Sequence, residues 1–510
     1  MNSEMAIPNV LLANQANEEN QSVELNTVRL NPNSFSNNTV NFVLPKLGHV
    51  LDHNSSLVWS VSWDDYEANR VTNNQRVVLK QFSGCLNTLK RARLYVGGRL
   101  LFTNPDPGQV IHIDKLSTNP DHYEEVEDVK LGGQHGYHLL EAFGNQRSVV
   151  KIAADASTAH LVTSAIPQQP AADNIKRVTR ALGSFSTVAQ QNAAWEGTVM
   201  LSDLFPALKG ALQLPISLLK EDVRIEVDFE TNFDEVAMVI RNTAGLAGRN
   251  ISVRNPLLLL DYLTYEPVVE AGLREAMAQG ITIPFRQVDL IKKVIPAHNV
   301  ASKTEDVFLG FQGKLLMKVY ASVRAANTVN GVDSAMNRFN GRCRSRAEQD
   351  MKFNLVVNDL FIYDQPVDTC SQRYNMLSMA KQFPIYVYPN SFDYNKRWNQ
   401  AVGTDDFNAA EVIFGGTTND NAVMPNTFCR DGVAGTQSYV GVDLSKYGPN
   451  NYMPANAGYR VGASPMILQL TYNGGANANV PEGTAHSVDV FCESIKVLQM
   501  RNGLVEVMDA

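Results

Sequence analysis

The sequence predicts an all-β protein of two tandem eight-stranded antiparallel jelly-roll sandwiches, with long loops and a short linker helix. Many segments alternate apolar and polar residues, which is typical of strands with one face in a core and one toward water. The 33 glycines and 22 prolines favour turns over long helices. The same order of strand-like segments occurs twice, with an offset of about 240 residues.

The clearest alternation lies within residues 195–231. Residues 223–230 alternate without exception between four apolar and four charged side chains. We therefore expect Val227 to lie in a core, and Asp228, on the polar face, to tolerate replacement by asparagine unless that face meets another subunit. Ser202 predicts a capped helical turn before this strand. The whole stretch is predicted as a strand, a structured crossover and a second strand.

Further strands are predicted on both sides of this stretch in the first half of the chain. Gly97 and Gly98 predict a two-residue hairpin turn, because glycine adopts positive φ without strain. Residues 267–280 predict a helix, with proline at its first position and glycine at its end. The predicted strands are residues 39–45, 56–63, 91–96, 100–103 and 256–265.

The second half repeats this pattern, although sequence identity between the halves is negligible. Residues 288–296 are matched to 39–45, and residues 439–444 with 466–472 are matched to the 195–231 stretch. A turn at Asn358 and Asp359 corresponds to the glycine turn. The remaining strands predicted here are 314–324, 353–357, 487–492 and 495–498, the last two being matched to 256–265.

These patterns divide the chain into an arm (1–24), a first jelly roll (25–266), the linker helix (267–280) and a second jelly roll (281–510). The arm contains no lysine or arginine, so it is not a basic tail for packaging nucleic acid. Two interpretations of it stay open. It is either a floppy terminus or an apolar hook, at residues 7–12, that orders against a neighbouring chain.

Composition excludes several classes of protein. A net charge of −8 argues against a protein that coats nucleic acid. The five cysteines are scattered and include no CxxC pair, which favours reduced thiols over a disulfide framework. No apolar run has the length of a membrane span, and the polar N-terminus lacks the pattern of a signal peptide. We therefore expect a soluble chain that is made in the cytoplasm or an equivalent compartment.

Four segments carry a resemblance to a known family: FVLPKLGHVLDHNSSL, RARLYVGGRLLF, LSDLFPALKGALQLPISLLKEDVRIEVDF and PLLLLDYLTYEPV. Over residues 25–510 the chain resembles the double jelly-roll major capsid proteins of icosahedral double-stranded DNA viruses. It is most similar to those of virophages, polinton-like viruses and nucleocytoplasmic large DNA viruses. The third segment is the most specific, because a strand, a proline-containing loop and an amphipathic strand recur there in that family.

The resemblance implies a structural viral protein of the virion, made and assembled inside the host cell. Three copies would form a homotrimer, a pseudo-hexagonal capsomer that tiles the icosahedral shell. The implied partners are neighbouring capsomers, penton proteins and minor capsid proteins, without sequence-specific binding of nucleic acid. Residues 104–194 and 364–438 would form the outer crown and trimer contacts, and the arm would lie on the inner side.

The sequence contains none of the common catalytic motifs: no GxxxxGK[ST] or GxGxxG loop, no HExxH and no GxSxG. We therefore predict no enzyme activity and assign no catalytic, cofactor-binding or metal-binding residue. The best metal candidates have no spacing that enforces convergence, so we favour surface loop residues over ligands. These candidates are His112, Asp114, Asp121, His122, His135 and His138.

Two other groups could contact partners. The basic cluster favours salt bridges between subunits or a solvated loop over binding to nucleic acid, because it has few interleaved aromatic residues and acidic residues follow it. Trp398 is a candidate interface anchor, because tryptophan is enriched at binding hot spots. The basic cluster consists of Arg338, Arg342, Arg344 and Arg346.

An alternative function is a tandem β-sandwich protein that binds carbohydrate or attaches to a host. That function needs a groove lined by exposed aromatic residues or by paired carboxylates. The sequence contains many carboxylates, but no spacing pairs them. The capsid function is therefore the principal prediction.

Overall fold

The fold is given by a computed structural model. It describes residues 24–36, 38–52, 54–63, 77–79, 84–115, 150–152, 161–163, 195–208, 214–232, 236–239, 251–296, 302–325, 352–367, 376, 380, 440–444, 459–473 and 486–509.

Fourteen described strands precede the linker helix and ten follow it. The strands before it are β1 Glu24–Leu30, β2 Ser34–Ser36, β3 Thr39–Leu44, β4 Val50–Leu51, β5 Ser56–Trp63, β6 Val77–Leu79, β7 Leu89–Val96, β8 Arg99–Asn104, β9 Val150–Ile152, β10 Leu161–Thr163, β11 Trp195–Met200, β12 Val223–Phe229, β13 Ala237–Val239 and β14 Ile251–Thr264. Those after it are β15 Ile281–Ile295, β16 Ser302–Leu309, β17 Leu315–Ala325, β18 Lys352–Val357, β19 Leu360–Phe361, β20 Val440–Asp443, β21 Tyr459–Arg460, β22 Met466–Asn473, β23 His486–Arg501 and β24 Leu504–Asp509. The described α-helices are α1 Pro107–Lys115, α2 Leu201–Leu204 and α3 Pro267–Gln279, and single 3-10 turns cover Gly84–Thr88, Pro206–Leu208 and Ile216–Leu218.

The strands form two sandwiches of antiparallel sheets. In the first, a sheet β1-β14-β5-β11 faces a sheet β2-β3-β12-β7-β8. In the second, β15-β23-β17-β20 faces β16-β22-β18-β19. The short strands β2, β4, β21 and β24 pair at the margins, and β9-β10 and β6-β13 form separate two-stranded ribbons.

The two sandwiches have the same topology. We number the eight framework strands of each sandwich along the chain, leaving out the marginal strands and ribbons. One sheet then has the order 1-8-3-6 and the other 2-7-4-5, in both sandwiches. This is the jelly-roll arrangement, so the predicted fold class of two tandem eight-stranded jelly rolls is confirmed.

One match between the halves was wrong. Residues 288–296 belong to β15, whose place in the topology is that of β1, while β16 is the equivalent of the strand at 39–45. Alternation identifies a strand but not its neighbours in the sheet, which explains the error. Residues 487–492 and 495–498 also form one continuous strand rather than two. The match of β20 and β22 to the 195–231 stretch is confirmed, since both pairs connect opposite sheets.

The first core is centred on the alternating strand β12. Val227 is fully buried, and its partners in register are Val40 on β3 and Ala92 on β7, both also buried. Trp59 lies on the opposite sheet, and its indole Nε1 donates a hydrogen bond to Thr88 Oγ1 at 2.9 Å. Alternation therefore predicted the inward face of these strands correctly.

The predicted turns and helices largely occur. The linker helix α3 has proline at its N-terminal end and stops at Gly280, whose φ of 106° favours glycine. Asn358 and Asp359 form the predicted hairpin turn, both with positive φ. The predicted cap at Ser202 is wrong. Met200 occupies the N-cap of α2 and makes no side-chain cap hydrogen bond.

Candidate functional site: the junction between the two sandwiches

The two sandwiches pack against each other along one extended surface, here called the junction. The first sandwich contributes its edge strand β8, the helix α1 that follows it, and the turn Pro206–Leu208. The second contributes β15 and β23, together with the terminal hairpin between β23 and β24. The edge strand β8 therefore lies against the core-facing side of β15, while α1 lies against the outer side of β15 and β23.

The apolar part of the junction joins the two sandwiches into one continuous core. The rings of Phe102 on β8 and Phe285 on β15 meet edge to face, with their centroids 4.8 Å apart. Ile283, Leu498 and Met500 of the second sandwich belong to the core cluster of the first. The two sandwiches therefore meet through a shared apolar core rather than through a hydrated interface.

At the margins of the junction, side chains of each sandwich donate hydrogen bonds to backbone carbonyl oxygens of the other. The side-chain amide of Gln287 donates a hydrogen bond to the carbonyl oxygen of Thr103 at 2.6 Å. At the terminal hairpin, Arg99 donates to the carbonyl oxygen of Val505 at 3.1 Å. Because these bonds engage backbone carbonyls of β8 and β24, they fix the register between the sandwiches.

An ion-pair cluster lies at the centre of the junction. The guanidinium of Arg286 is 3.2 Å from a carboxylate oxygen of Asp114 on α1 and 3.2 Å from one of Glu493 on β23. Burial disfavours the charged guanidinium, but the two carboxylates outweigh burial and raise the pKa of Arg286. Burial, together with the charge of Glu493, also raises the pKa of Tyr320. At neutral pH Arg286 therefore stays charged and Tyr320 stays neutral.

A second polar group surrounds Gln109, which is fully buried on α1. Its amide nitrogen donates to Asp489 on β23 at 3.3 Å and to Asp106 at 3.1 Å. Ser487 donates to the other oxygen of Asp489 at 2.8 Å, and Lys292 lies 3.5 Å from Asp106. Buried polar groups that are paired in this way specify one arrangement of the two sandwiches.

The surroundings of Asp228, on the outer face of β12, differ from what the sequence predicted. This carboxylate is almost fully buried and accepts hydrogen bonds from Thr39, Arg91 and Arg93. Partial burial opposes ionisation, but the hydrogen bonds and the two arginines outweigh it and lower the pKa of Asp228. The expectation that asparagine would be nearly silent here is therefore replaced by an expected loss of stability, because the polar face of the strand carries a ladder of ion pairs.

The outer face of β14 also differs from its expectation, because residues that were predicted to be buried point outward. The run PLLLL predicted a buried strand, and Leu258 and Leu260 are indeed fully buried. The alternate residues Leu257 and Leu259 point outward, and Leu259 is exposed. These leucines share the outer face of the sheet with Thr27, Arg29 and Asp261, so this face mixes apolar and polar side chains.

The structure describes the backbone of only two of the metal candidates, His112 and Asp114. Asp114 lies on α1 and pairs with Arg286, so it acts within the junction. His112 is on the same helix, and Asp121, His122, His135 and His138 fall outside the described residues. Within the described ranges, no group of three or more histidine, cysteine, aspartate or glutamate side chains is placed to hold a metal ion.

The other candidates for contact with partners also fall outside the described part of the chain: Arg338, Arg342, Arg344, Arg346, Trp398 and the apolar segment 7–12. Cys85 and Cys492 are free thiols, as predicted, and burial raises the pKa of both. Among the helices that the structure describes, none has the length and apolar character needed to cross a membrane.

Comparison with known proteins identifies the fold. No protein-family model matches the sequence, and no curated protein is detectably similar to it. Solved structures do match. A chain in the 3.5 Å cryo-EM structure of the Sputnik virophage superposes with a TM-score of 0.55 at 13% identity, over 96% of this chain and 89% of that one. The crystal structure of the mavirus major capsid protein gives a TM-score of 0.50 at 13% identity, over 94% and 89%.

A third match, to PBCV-1 VP54, has a TM-score of 0.50 at 10% identity, over 97% of this chain and 98% of that one. The chain has the double jelly-roll fold of these proteins. At such low identity the likeness concerns the fold, and it covers nearly the whole length of the chain.

Sequence reasoning missed the junction residues Asp106, Gln109, Arg286, Asp489 and Glu493. A signal for them exists, since β23 carries acidic residues on the face opposite its core residues Val488, Val490 and Cys492. Alternation marked that face as polar, but water and a partner domain are both compatible with a polar face. Only the packing of α1 against it shows that it is buried.

Proposed function

We propose that this chain is the major capsid protein of an icosahedral double-stranded DNA virus. In this role three copies associate into a pseudo-hexagonal capsomer, and capsomers tile the shell of the virion. One observation carries the proposal. The fold matches the mavirus major capsid protein and PBCV-1 VP54 over almost the full length of all three chains, with both jelly rolls present.

The proposal includes the organisation expected from the sequence. Residues 25–266 and 281–510 form the two jelly rolls, helix 267–280 links them, and the arm at 1–24 contacts neighbours on the inner side. Penton and minor capsid proteins are further partners. The role needs no catalytic, cofactor-binding or metal-binding residue, since the chain acts by self-association. The carbohydrate-binding alternative is not favoured, because the structural matches are to capsid components.

The rigid junction supports this function physically. A capsomer subunit must keep its two jelly rolls at a fixed angle while it contacts other subunits on several sides. The continuous core and the ion pairs of Arg286 supply that rigidity. By contrast, domains that move relative to each other usually share small, polar interfaces.

The test is the oligomeric state and shape of the purified full-length chain. Light scattering coupled to size-exclusion chromatography should give a mass of three chains of 56.3 kDa each. Negative-stain electron microscopy should show compact particles with threefold symmetry and a pseudo-hexagonal outline. Unfolding should depend on protein concentration, because trimers dissociate as they unfold. A monomer under all conditions would contradict the proposal.

A further inference from the structure

A histidine of the first sandwich contacts the start of the linker helix. His49 lies in the connection between β3 and β4, and its side chain is 17% exposed. Its backbone N–H donates to the carbonyl oxygen of Leu263, near the end of β14, at 3.0 Å. Its carbonyl oxygen accepts a hydrogen bond from the hydroxyl of Ser217 at 3.3 Å. The main chain of His49 therefore holds the imidazole ring beside the start of α3.

The two nitrogens of the imidazole ring have different partners. Nδ1 accepts a hydrogen bond from the backbone N–H of Tyr265, just before α3 begins, at 2.8 Å. Nε2 lies 3.4 Å from a carboxylate oxygen of Glu270, in the first turn of α3. A flipped ring would present carbon atoms to both partners, so these contacts fix its orientation. Because Nδ1 is an acceptor, the neutral ring carries its proton on Nε2.

These two contacts respond in opposite ways when the ring gains a second proton. Both nitrogens of an imidazolium are donors. The N–H of Tyr265 would then face an N–H at Nδ1 across 2.8 Å, so the two groups must separate. The contact with Glu270 becomes stronger, because the positive ring attracts the carboxylate. Protonation therefore removes the backbone contact and keeps the side-chain contact.

Between about pH 8 and pH 5, the imidazole is the group of this cluster that changes its charge. The hydrogen bond from Arg274 lowers the pKa of Glu270, so its carboxylate stays ionised in this range. Burial, with a smaller contribution from the charge of Asp52, raises the pKa of Tyr265, so its phenol stays neutral. The other titratable side chains on the described elements around the ring belong to residue types that titrate outside this range. They are Lys46, Asp52, Lys220, Asp222, Tyr262 and Glu266.

We propose that His49 is a pH-sensitive contact of the linker: on protonation the ring releases the backbone of Tyr265 and keeps its hold on α3 through Glu270. The released segment joins the last strand of the first jelly roll to the linker helix. Acid therefore loosens the chain where it leaves the first jelly roll. The effect is local to one chain, so it occurs whether or not copies associate.

Hydrogen exchange of the full-length chain, read at single residues by mass spectrometry, tests the release. The protection factor of the Tyr265 amide, corrected for the intrinsic pH dependence of exchange, should fall about threefold to tenfold from about pH 8 to pH 5, since one hydrogen bond is lost. The amide of Asp261, on the same strand, is the internal control. It donates to the hydroxyl of Ser55 at 2.9 Å, which does not titrate, so its protection should not change.

Two variants identify the group that titrates. In His49→Asn the amide oxygen takes the place of Nδ1 as acceptor and does not titrate, so Tyr265 should be equally protected at both pH values. Glu270→Gln keeps Nδ1 but removes the carboxylate that stabilises the imidazolium. Its loss of protection should therefore occur at lower pH than in the wild type. This second variant keeps the test decisive if the asparagine variant does not fold.

Three results would overturn the inference, and each would leave the capsid proposal intact. One is a wild-type Tyr265 amide with the same protection at both pH values. Another is an equal loss in His49→Asn, because a group other than the imidazole would then titrate. The third is a loss in Glu270→Gln at the same pH as in the wild type, because the carboxylate would then not act on the ring.

Discussion

Replacement of Val227 by aspartate is the most direct test of the first sandwich. Val227 is fully buried at the middle of β12, between the buried side chains of Val40 and Ala92. An aspartate there would meet apolar side chains from both neighbouring strands. We expect Val227→Asp to prevent folding at neutral pH.

The magnitude follows from three contributions. Loss of the buried apolar side chain costs about 1.5–3 kcal/mol. Keeping the carboxyl neutral at pH 7, against a reference pKa of about 3.9, costs about 4 kcal/mol. A buried carboxyl without a hydrogen-bond partner costs about 1–3 kcal/mol more. The sum is comparable with the whole stability of a typical domain, about 5–15 kcal/mol.

The assay is urea denaturation of soluble protein at matched concentrations, followed by circular dichroism. Val43→Asp is the control, because Val43 lies on the adjacent strand β3 but is exposed on the outer face. Its denaturation midpoint should stay near that of the wild type. Burial raises the pKa of the aspartate introduced at position 227 in the folded state, so its penalty should grow as pH rises above about 4 and shrink toward acid. Equal midpoints for the two variants at pH 7 would refute the assignment of the β12 faces.

Three further changes probe the ion pairs and the packing. Asp228→Asn should lower the free energy of unfolding by about 1–2 kcal/mol in urea denaturation, against no change for the exposed Asp222→Asn. Because the folded pKa of Asp228 is lowered, this difference should disappear as pH falls through that pKa. Glu493→Gln, which removes one carboxylate from the junction arginine, should cost about 1–2 kcal/mol by the same measurement. Gly197→Ala should lower the melting temperature, because the added Cβ would lie 2.8 Å from a buried indole, whereas Gly310→Ala meets open space.

The sequence alone determined which residues form strands and which side of each strand is apolar. Val223, Ile225 and Val227 are buried as their alternation predicted, because period two in a strand is a local property of the backbone. The hairpin turns at Gly97 and at Asn358 were equally local, since positive φ depends on the residue itself. The duplication followed from repeating the same local patterns in the same order.

The tertiary structure decided what covers each outer face. Asp228 and Glu493 have the same sequence signature, a charged residue opposite core residues, yet one belongs to an ion-pair ladder within a single sandwich and the other to the junction between the two. Leu259 was predicted to be buried and is exposed within the single chain. Alternation contains no information about contacts between residues far apart in the chain, so only the packed sandwiches show whether an outer face meets water or a second domain.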